Sequence, residues 1–203
     1  MRTLIPIDDL QWSDDIFYQK ILNENQCLEI LEEVSQCSEF FESGSVSKDG
    51  VNVLDKELKI TQELMLDDHI HVPKVKQLYK MLETPVIKFV NNILASEHDS
   101  IKYLKGFKLY NGRFRFKHYP KGIGKYGWHL DMGGEWGKRL MTVLLYLNNV
   151  KEGGQTQFSN QDCEIPCMAG AMCAFPPYWN YPHRSVENIS DDKNILALFI
   201  ETS

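Results

Sequence analysis

The apolar pattern of this chain changes its period from helical to two at about residue 101 and keeps the new period to the end. Strand-like runs fall at 127–132, 139–147, 155–158, 163–166, 171–175, 183–189 and 194–201, punctuated by Gly, Pro and Asn. Asn111-Gly112, set between Phe107–Tyr110 and Arg113–Lys117, is the dipeptide that most favours a two-residue hairpin turn, because both residues tolerate positive φ. Many short strands at such close spacing predict a sandwich or jelly roll.

Upstream the pattern is helical. A helix is expected over about 24–36, with Leu28, Ile30, Leu31 and Val34 on one face and Asn23 or Asn25 as its cap. A second is expected over roughly 56–69. A third runs from after Pro73 to about Ala95 through Val75, Leu78, Leu82, Val86, Phe89 and Ile93, with Pro85 as a point of kinking. Ser43 to Gly50 reads as a loop and a mobile lid. The expected fold is α+β, mainly β, in one domain over 1–203: a helical supporting layer over 1–100 and a jelly-roll core over 101–203.

Composition narrows the partners. A net charge of −6 argues against nucleic acid, since phosphate binding rests on clustered Lys and Arg releasing counterions. The charge is unevenly spread: residues 1–69 hold 16 Asp+Glu against 5 Lys+Arg, and residues 100–130 hold eight Lys or Arg with no carboxylate. That basic stretch is either a solvated face or an attractor for an anionic cosubstrate. No apolar run approaches the roughly 20 residues of a spanning helix, and acidic residues interrupt the start before any leader-length apolar stretch, so no membrane partner and a cytoplasmic location are expected. The five cysteines have irregular spacing and no CxxC pair, which fits buried thiols better than disulfides or a zinc site at Cys163, Cys167 and Cys173.

Chemistry concentrates at His129-Leu130-Asp131, His183 and Lys193. Within a strand, residues i and i+2 share a face, so His129 and Asp131 point into one interior and His183 must arrive from another strand. Two imidazoles and a carboxylate can hold one face of an Fe(II) octahedron and leave three positions open. The same set also suits Zn(II) hydrolysis, and a lone His-x-Asp is a weak pattern. Lys193 either ends the polar turn 188–192 as a surface charge or supplies a buried cation to a dicarboxylate.

The surrounding motifs sharpen the choice. Tyr119-Pro120 precedes His129, Thr142 to Asn148 has the form Thr-x-x-x-Tyr-Leu-Asn, Gly153-Gly154-Gln155-Thr156 forms a glycine turn, and Pro166 to Phe175 follows. In order and spacing these resemble the Fe(II)/2-oxoglutarate-dependent dioxygenases of the prolyl 4-hydroxylase type, most densely over 113–201. The resemblance implies a double-stranded β-helix with Fe(II) held by the catalytic set His129, Asp131 and His183. It also implies 2-oxoglutarate bound by Tyr119, Tyr146 and Lys193 with Thr142 nearby, and ascorbate as a reductant. O2 is the co-reactant, and peptidyl proline the first substrate to consider, with a free amino acid or small metabolite as the alternative. Asp131 favours hydroxylation over halogenation, for which the carboxylate is lost. Arg184, the one arginine after His183, argues against alkylated bases.

Two features of the rim stay open at this level. Trp128 and the aromatic run Tyr178-Trp179-Asn180-Tyr181 suit peptide recognition or plain packing. Arg139 is either a strand-start charge or a grip for a substrate carboxylate. A non-catalytic sandwich that binds metal and 2-oxoglutarate is the reading from a different class.

Overall fold

The structure, a computed structural model, describes residues 1–104, 108–132 and 138–202. Its elements run β1 (Arg2–Thr3), β2 (Gln11–Ser13), β3 (Ile16–Lys20), α1 (Glu24–Ser35), β4 (Glu42–Ser43), β5 (Val46–Lys48), β6 (Val51–Val53), β7 (Lys59–Ile60), β8 (Gln62–Met65) and α2 (Pro73–Ala95). They continue with β9 (Leu109–Asn111), β10 (Arg115–Tyr119), β11 (Lys125–His129), β12 (Arg139–Tyr146), β13 (Thr156–Phe158), β14 (Cys163–Ile165), β15 (Ala171–Phe175), β16 (His183–Ser185) and β17 (Lys193–Thr202). The larger sheet has the order β2-β3-β15-β12-β17-β10-β8-β4 and the smaller one β1-β14-β13-β16-β11-β7. This is the double-stranded β-helix expected from the sequence, backed by two helices.

Alternation on the central strands explains why they read as nearly continuous apolar runs: both faces of the larger sheet are buried. Met141, Val143 and Leu145 of β12, with Leu196, Leu198 and Ile200 of β17, join the layer under the helices. Leu144, Tyr146, Ile195 and Ala197 turn the other way and pack toward Phe158, Cys163 and Ile165 of the smaller sheet. Each helix supplies one stripe to the first layer, Cys27, Ile30 and Val34 from α1 and Val75, Leu78, Leu82, Val86, Phe89 and Ile93 from α2. Asn23 closes a capping box with Gln26, each side chain accepting from the other's backbone N–H at 2.9 Å. Pro73 opens α2, where its missing N–H costs nothing, and Pro85 lies buried within the helix, which continues to Ala95. No helix among the described residues is long and apolar enough to cross a membrane.

Four expectations are corrected. Residues 56–69 are not a helix but β7 and β8 followed by a short 3-10 turn, because Lys59, Thr61 and Glu63 point their polar groups inward and invert the usual pattern. Ser43 to Gly50 is not a free loop: it holds the end of β4, all of β5 and the turn into β6, with Asp49 at φ 51° and Gly50 at φ 78°. Asn111-Gly112 does not reverse the chain. β9 and β10 both pair with the same edge of β17, Gly112 N–H donates to Phe199 O at 2.7 Å, and the strand continues; Phe107, the start of the expected hairpin, lies outside the described residues. Nor is the N-terminal part purely helical, since β1 and β7 join the smaller sheet and β2, β3, β4 and β8 the larger.

Candidate metal centre and its cavity

The antiparallel pairing of β11 with β16 places His129 directly opposite His183, with ring centroids 4.2 Å apart. Asp131 follows β11 by two residues. Each imidazole is fixed by a backbone carbonyl: Nδ1 of His129 lies 2.9 Å from Gly127 O, and Nδ1 of His183 lies 3.1 Å from Tyr181 O. Donation from Nδ1 leaves both Nε2 lone pairs free, and they face the Asp131 carboxylate at 3.6 and 3.4 Å. The three donor atoms lie within 4.8 Å of one another. Asp131 is itself held, accepting from Thr142 Oγ1 at 2.8 Å through its side chain and from Arg139 Nη1 at 2.6 Å through its backbone carbonyl.

Protonation suits a divalent cation. Burial pushes His129 well below the ordinary histidine value and His183 below it, with Asp131 opposing in both cases. Burial alone would raise Asp131, but His183, His129 and Lys117 hold it down to about 2. Near neutral pH the group therefore offers two neutral imidazoles and one carboxylate, the donor set that fits a non-heme iron.

The same cavity is lined by Lys117, Tyr119, Tyr126, Thr156, Ser185 and Lys193. Lys193 is wholly buried, so it is no surface charge. Its Nζ donates to Gly154 O at 2.6 Å and to Ser185 Oγ at 2.7 Å, and no carboxylate pairs with it among the described residues. Burial lowers it to about 8. Tyr119 and Tyr146 flank the ammonium with ring centroids at 5.1 and 5.6 Å. Tyr146 stands one layer back from the cavity wall, its hydroxyl donating to Thr156 Oγ1 at 2.7 Å. The hydroxyl of Thr142, expected near the cosubstrate, is engaged with Asp131.

Several lining residues escaped the sequence reading. Tyr126 stacks on His129 with centroids 3.5 Å apart and 15° between the rings. Three residues separate the two positions, and simple alternation would put them on opposite faces; a bulge in β11, three residues against two of β16, brings both inward. Ser185 is one alternation step beyond His183 and Lys117 one before Tyr119, so counting in twos finds both. At the rim, Trp128 and Trp179 are exposed and Arg184 lies 4.9 Å over the Trp128 ring, whereas Tyr181 is buried with its hydroxyl on Asp14 O. Arg139 is turned inward, its guanidinium 3.3 Å from the Phe199 ring centroid. All five cysteines are buried free thiols.

Residues 114–201, which hold all of these donors, match the family model of the 2OG-Fe(II) oxygenase superfamily. They form a 2OG-Fe(II) oxygenase domain. The family works with Fe(II) and 2-oxoglutarate, and the chain is an oxygenase of that kind. Its fold is prolyl hydroxylase-like. A prolyl hydroxylase from Trichoplax adhaerens, in complex with a hypoxia inducible factor oxygen degradation domain peptide fragment, superposes with a TM-score of 0.74 at 17% identity, covering 93% of this chain and 84% of that one. A Pseudomonas putida prolyl-4-hydroxylase gives 0.64 at 16% identity, covering 93% of each chain. The viral collagen prolyl hydroxylase of Paramecium Bursaria Chlorella virus-1, in its 2OG complex, gives 0.61 at 16%, covering 94% of this oxygenase and 97% of that chain. No curated protein matches the oxygenase by sequence.

Proposed function

We propose that this oxygenase hydroxylates an unactivated C–H bond of peptidyl proline, with His129, Asp131 and His183 holding the iron. One observation carries the reading: three donor atoms within 4.8 Å of one another face a cavity whose wall also holds the buried Lys193 side chain, which has no acid partner among the described residues. Bound iron with its cosubstrate supplies the oxidising power, turning 2-oxoglutarate and O2 into succinate and CO2 as one oxygen atom enters the substrate. Lys193 would take the distal carboxylate of 2-oxoglutarate, a site that no water need fill once the acid is seated. The Tyr119 hydroxyl, kept protonated by burial, would donate to a cosubstrate carboxylate, and Tyr146 would orient Thr156 toward it. Trp128 and Trp179 would present flat apolar surfaces to a proline ring or peptide backbone. Ascorbate would serve as reductant, and the free thiols fit a reducing compartment such as the cytoplasm. Strands β1 to β4, β7 and β8 complete both sheets, which supports 1–203 acting as one domain.

The test is succinate release with proline-rich peptides and with free amino acids. Release that needs Fe(II), 2-oxoglutarate and a peptide supports the proposal; stimulation by free amino acids alone would move the substrate to that class. Under anaerobic conditions, a visible charge-transfer band on adding 2-oxoglutarate to the Fe(II) protein separates this reading from zinc hydrolysis.

A further inference from the structure

Beside the metal centre the cavity wall carries more positive charge than the site so far described uses. Lys59, Arg115 and Lys117 converge around a single carboxylate, Glu63. Lys59 Nζ lies 2.7 Å from Glu63 Oε1 and Arg115 Nη1 lies 3.4 Å from Oε2, so each oxygen already has a cationic neighbour. Lys117 is directly opposite Glu63 in the β10–β8 register, yet it makes no ion pair or hydrogen bond among the described residues. Glu63 and Asp131 act on it through charge alone, and its nearest ring is Tyr126, whose centroid lies 5.5 Å from Nζ and which is stacked on His129. The ammonium therefore lines the cavity within one aromatic ring of a metal ligand. A half-buried cationic side chain on the cavity wall, which shares two carboxylates with Lys59 and Arg115 and hydrogen-bonds to neither, has room for an anion, since charges withdrawn from water are tolerated when paired. Lys193 is a separate cation: it lies opposite Tyr119 in the β10–β17 register, and Lys117 lies opposite Ile195, two residues further along.

Resting on the hydroxylase reading above, we infer that Lys117 binds a carboxylate of the substrate and so fixes which C–H bond faces the metal. The carboxylate comes either from an acidic side chain next to the target proline or from the α-carboxyl of a free amino acid. Both offer the same charge-assisted bond to an ammonium.

The experiment uses the full chain loaded with Fe(II) and 2-oxoglutarate without oxygen, titrated calorimetrically with matched pairs: L-proline against L-prolinamide, and a proline-rich peptide with Glu beside the proline against its Gln counterpart. The acid of at least one pair should bind about tenfold tighter or more, and which pair does so identifies the source. Lys117→Gln should erase the preference and Lys117→Arg should retain it. In turnover the loss should fall on KM and on the ratio of product to succinate, since a misplaced substrate leaves 2-oxoglutarate consumption uncoupled. Equal binding of acid and amide in both pairs overturns the inference, as does a preference that survives in Lys117→Gln. A Lys117→Gln variant that instead needs more 2-oxoglutarate for its anaerobic band would give Lys117 to the cosubstrate and overturn it too. Absence of that band from the parent protein sinks the hydroxylase reading and this inference together; a band without acid preference sinks the inference alone.

Discussion

Thr142 Oγ1 on β12 donates to Oδ2 of Asp131 at 2.8 Å, joining the larger sheet to a carboxylate carried just past the end of β11 on the smaller one. The bond fixes the carboxylate plane while both imidazoles face it. Partners of this kind typically set metal affinity within about 10- to 100-fold. Thr142→Val should weaken metal binding by about that factor, with Thr142→Ser keeping most of it, as measured by anaerobic Fe(II) titration. Equal affinities in Thr142→Val and the parent would show that the bond is incidental.

Asp131→Ala and His183→Ala should each abolish turnover while the chain still folds. Asp131 belongs to neither hydrophobic layer, so its variant should move Tm by less than about 4 °C, while His183 is buried with its ring 4.6 Å from that of Phe175, so its variant should lower Tm further. Full activity in His183→Ala contradicts the metal assignment outright.

Lys193→Ala removes a buried charge-assisted partner, a change of about 10- to 100-fold in binding. It should raise the KM for 2-oxoglutarate by that factor and leave the affinity for Fe(II) nearly unchanged. An unchanged KM would remove Lys193 from cosubstrate binding.

The buried imidazoles also set a pH dependence for the metal-free protein. Folding lowers the values of His129 and His183 below the ordinary 6.5, so as pH falls through that value the unfolded chain takes up protons that the folded one refuses. Stability must then rise with pH across this window and fall on acidification. Melting of the metal-free protein from pH 7.5 to pH 5 should show a falling Tm, and saturating metal, which needs neutral imidazoles, should add to stability most at the high end. A flat or rising Tm toward pH 5 would contradict the burial argument.

Gly153 holds φ at +78°, and a Cβ there would come within 2.0 Å of Glu187 O. Its neighbour Gly154 supplies the carbonyl that receives the Lys193 ammonium. Gly153→Ala should thus destabilise the chain by about 1–3 kcal/mol and also raise the KM for 2-oxoglutarate, linking a turn to the cavity. A destabilised variant with unchanged KM would show that the turn and the ammonium are uncoupled.

The parts of this molecule that were legible in the sequence are those where polarity follows burial. The Asn23 cap and the apolar stripe of α2 gave their positions directly, the stripe of α1 did so except that Leu28 is exposed and Cys27 is buried in its place, and the runs that became β12, β15 and β17 read as strands. His129 and Asp131 were legible because alternation puts positions i and i+2 on one face, whereas His183 and Lys193 were legible through the order and spacing of the family resemblance. Regions went unread where function or close backbone approach inverts the rule. Lys59, Thr61 and Glu63 face inward and gave β7 and β8 the look of a charged helix. Asp14 and Asp15, both at positive φ, turn β2 into β3 without any glycine to announce the hairpin. At Gly112 the small residue serves the close contact with Phe199 O, where a Cβ would meet it at 3.0 Å, instead of a reversal. The bulge in β11 concealed Tyr126 for the same reason: one extra residue shifts the phase of everything before it.

Along β17, Lys193, Ile195, Ala197 and Phe199 line the cavity, while Leu196, Leu198 and Ile200 belong to the layer beneath the helices. Selection can therefore edit one set while leaving the other alone. Exchanging Phe199 reshapes what the oxygenase admits with least effect on its scaffold, whereas Ile195 and Ala197 also pack in the core between the sheets. Inserting a single residue would instead swap the two sets, delivering the ammonium to the helices and leucines to the cavity. Descendants of this chain should accordingly diversify by point substitution at alternate positions of its last strand, and tolerate almost no change in that strand's length.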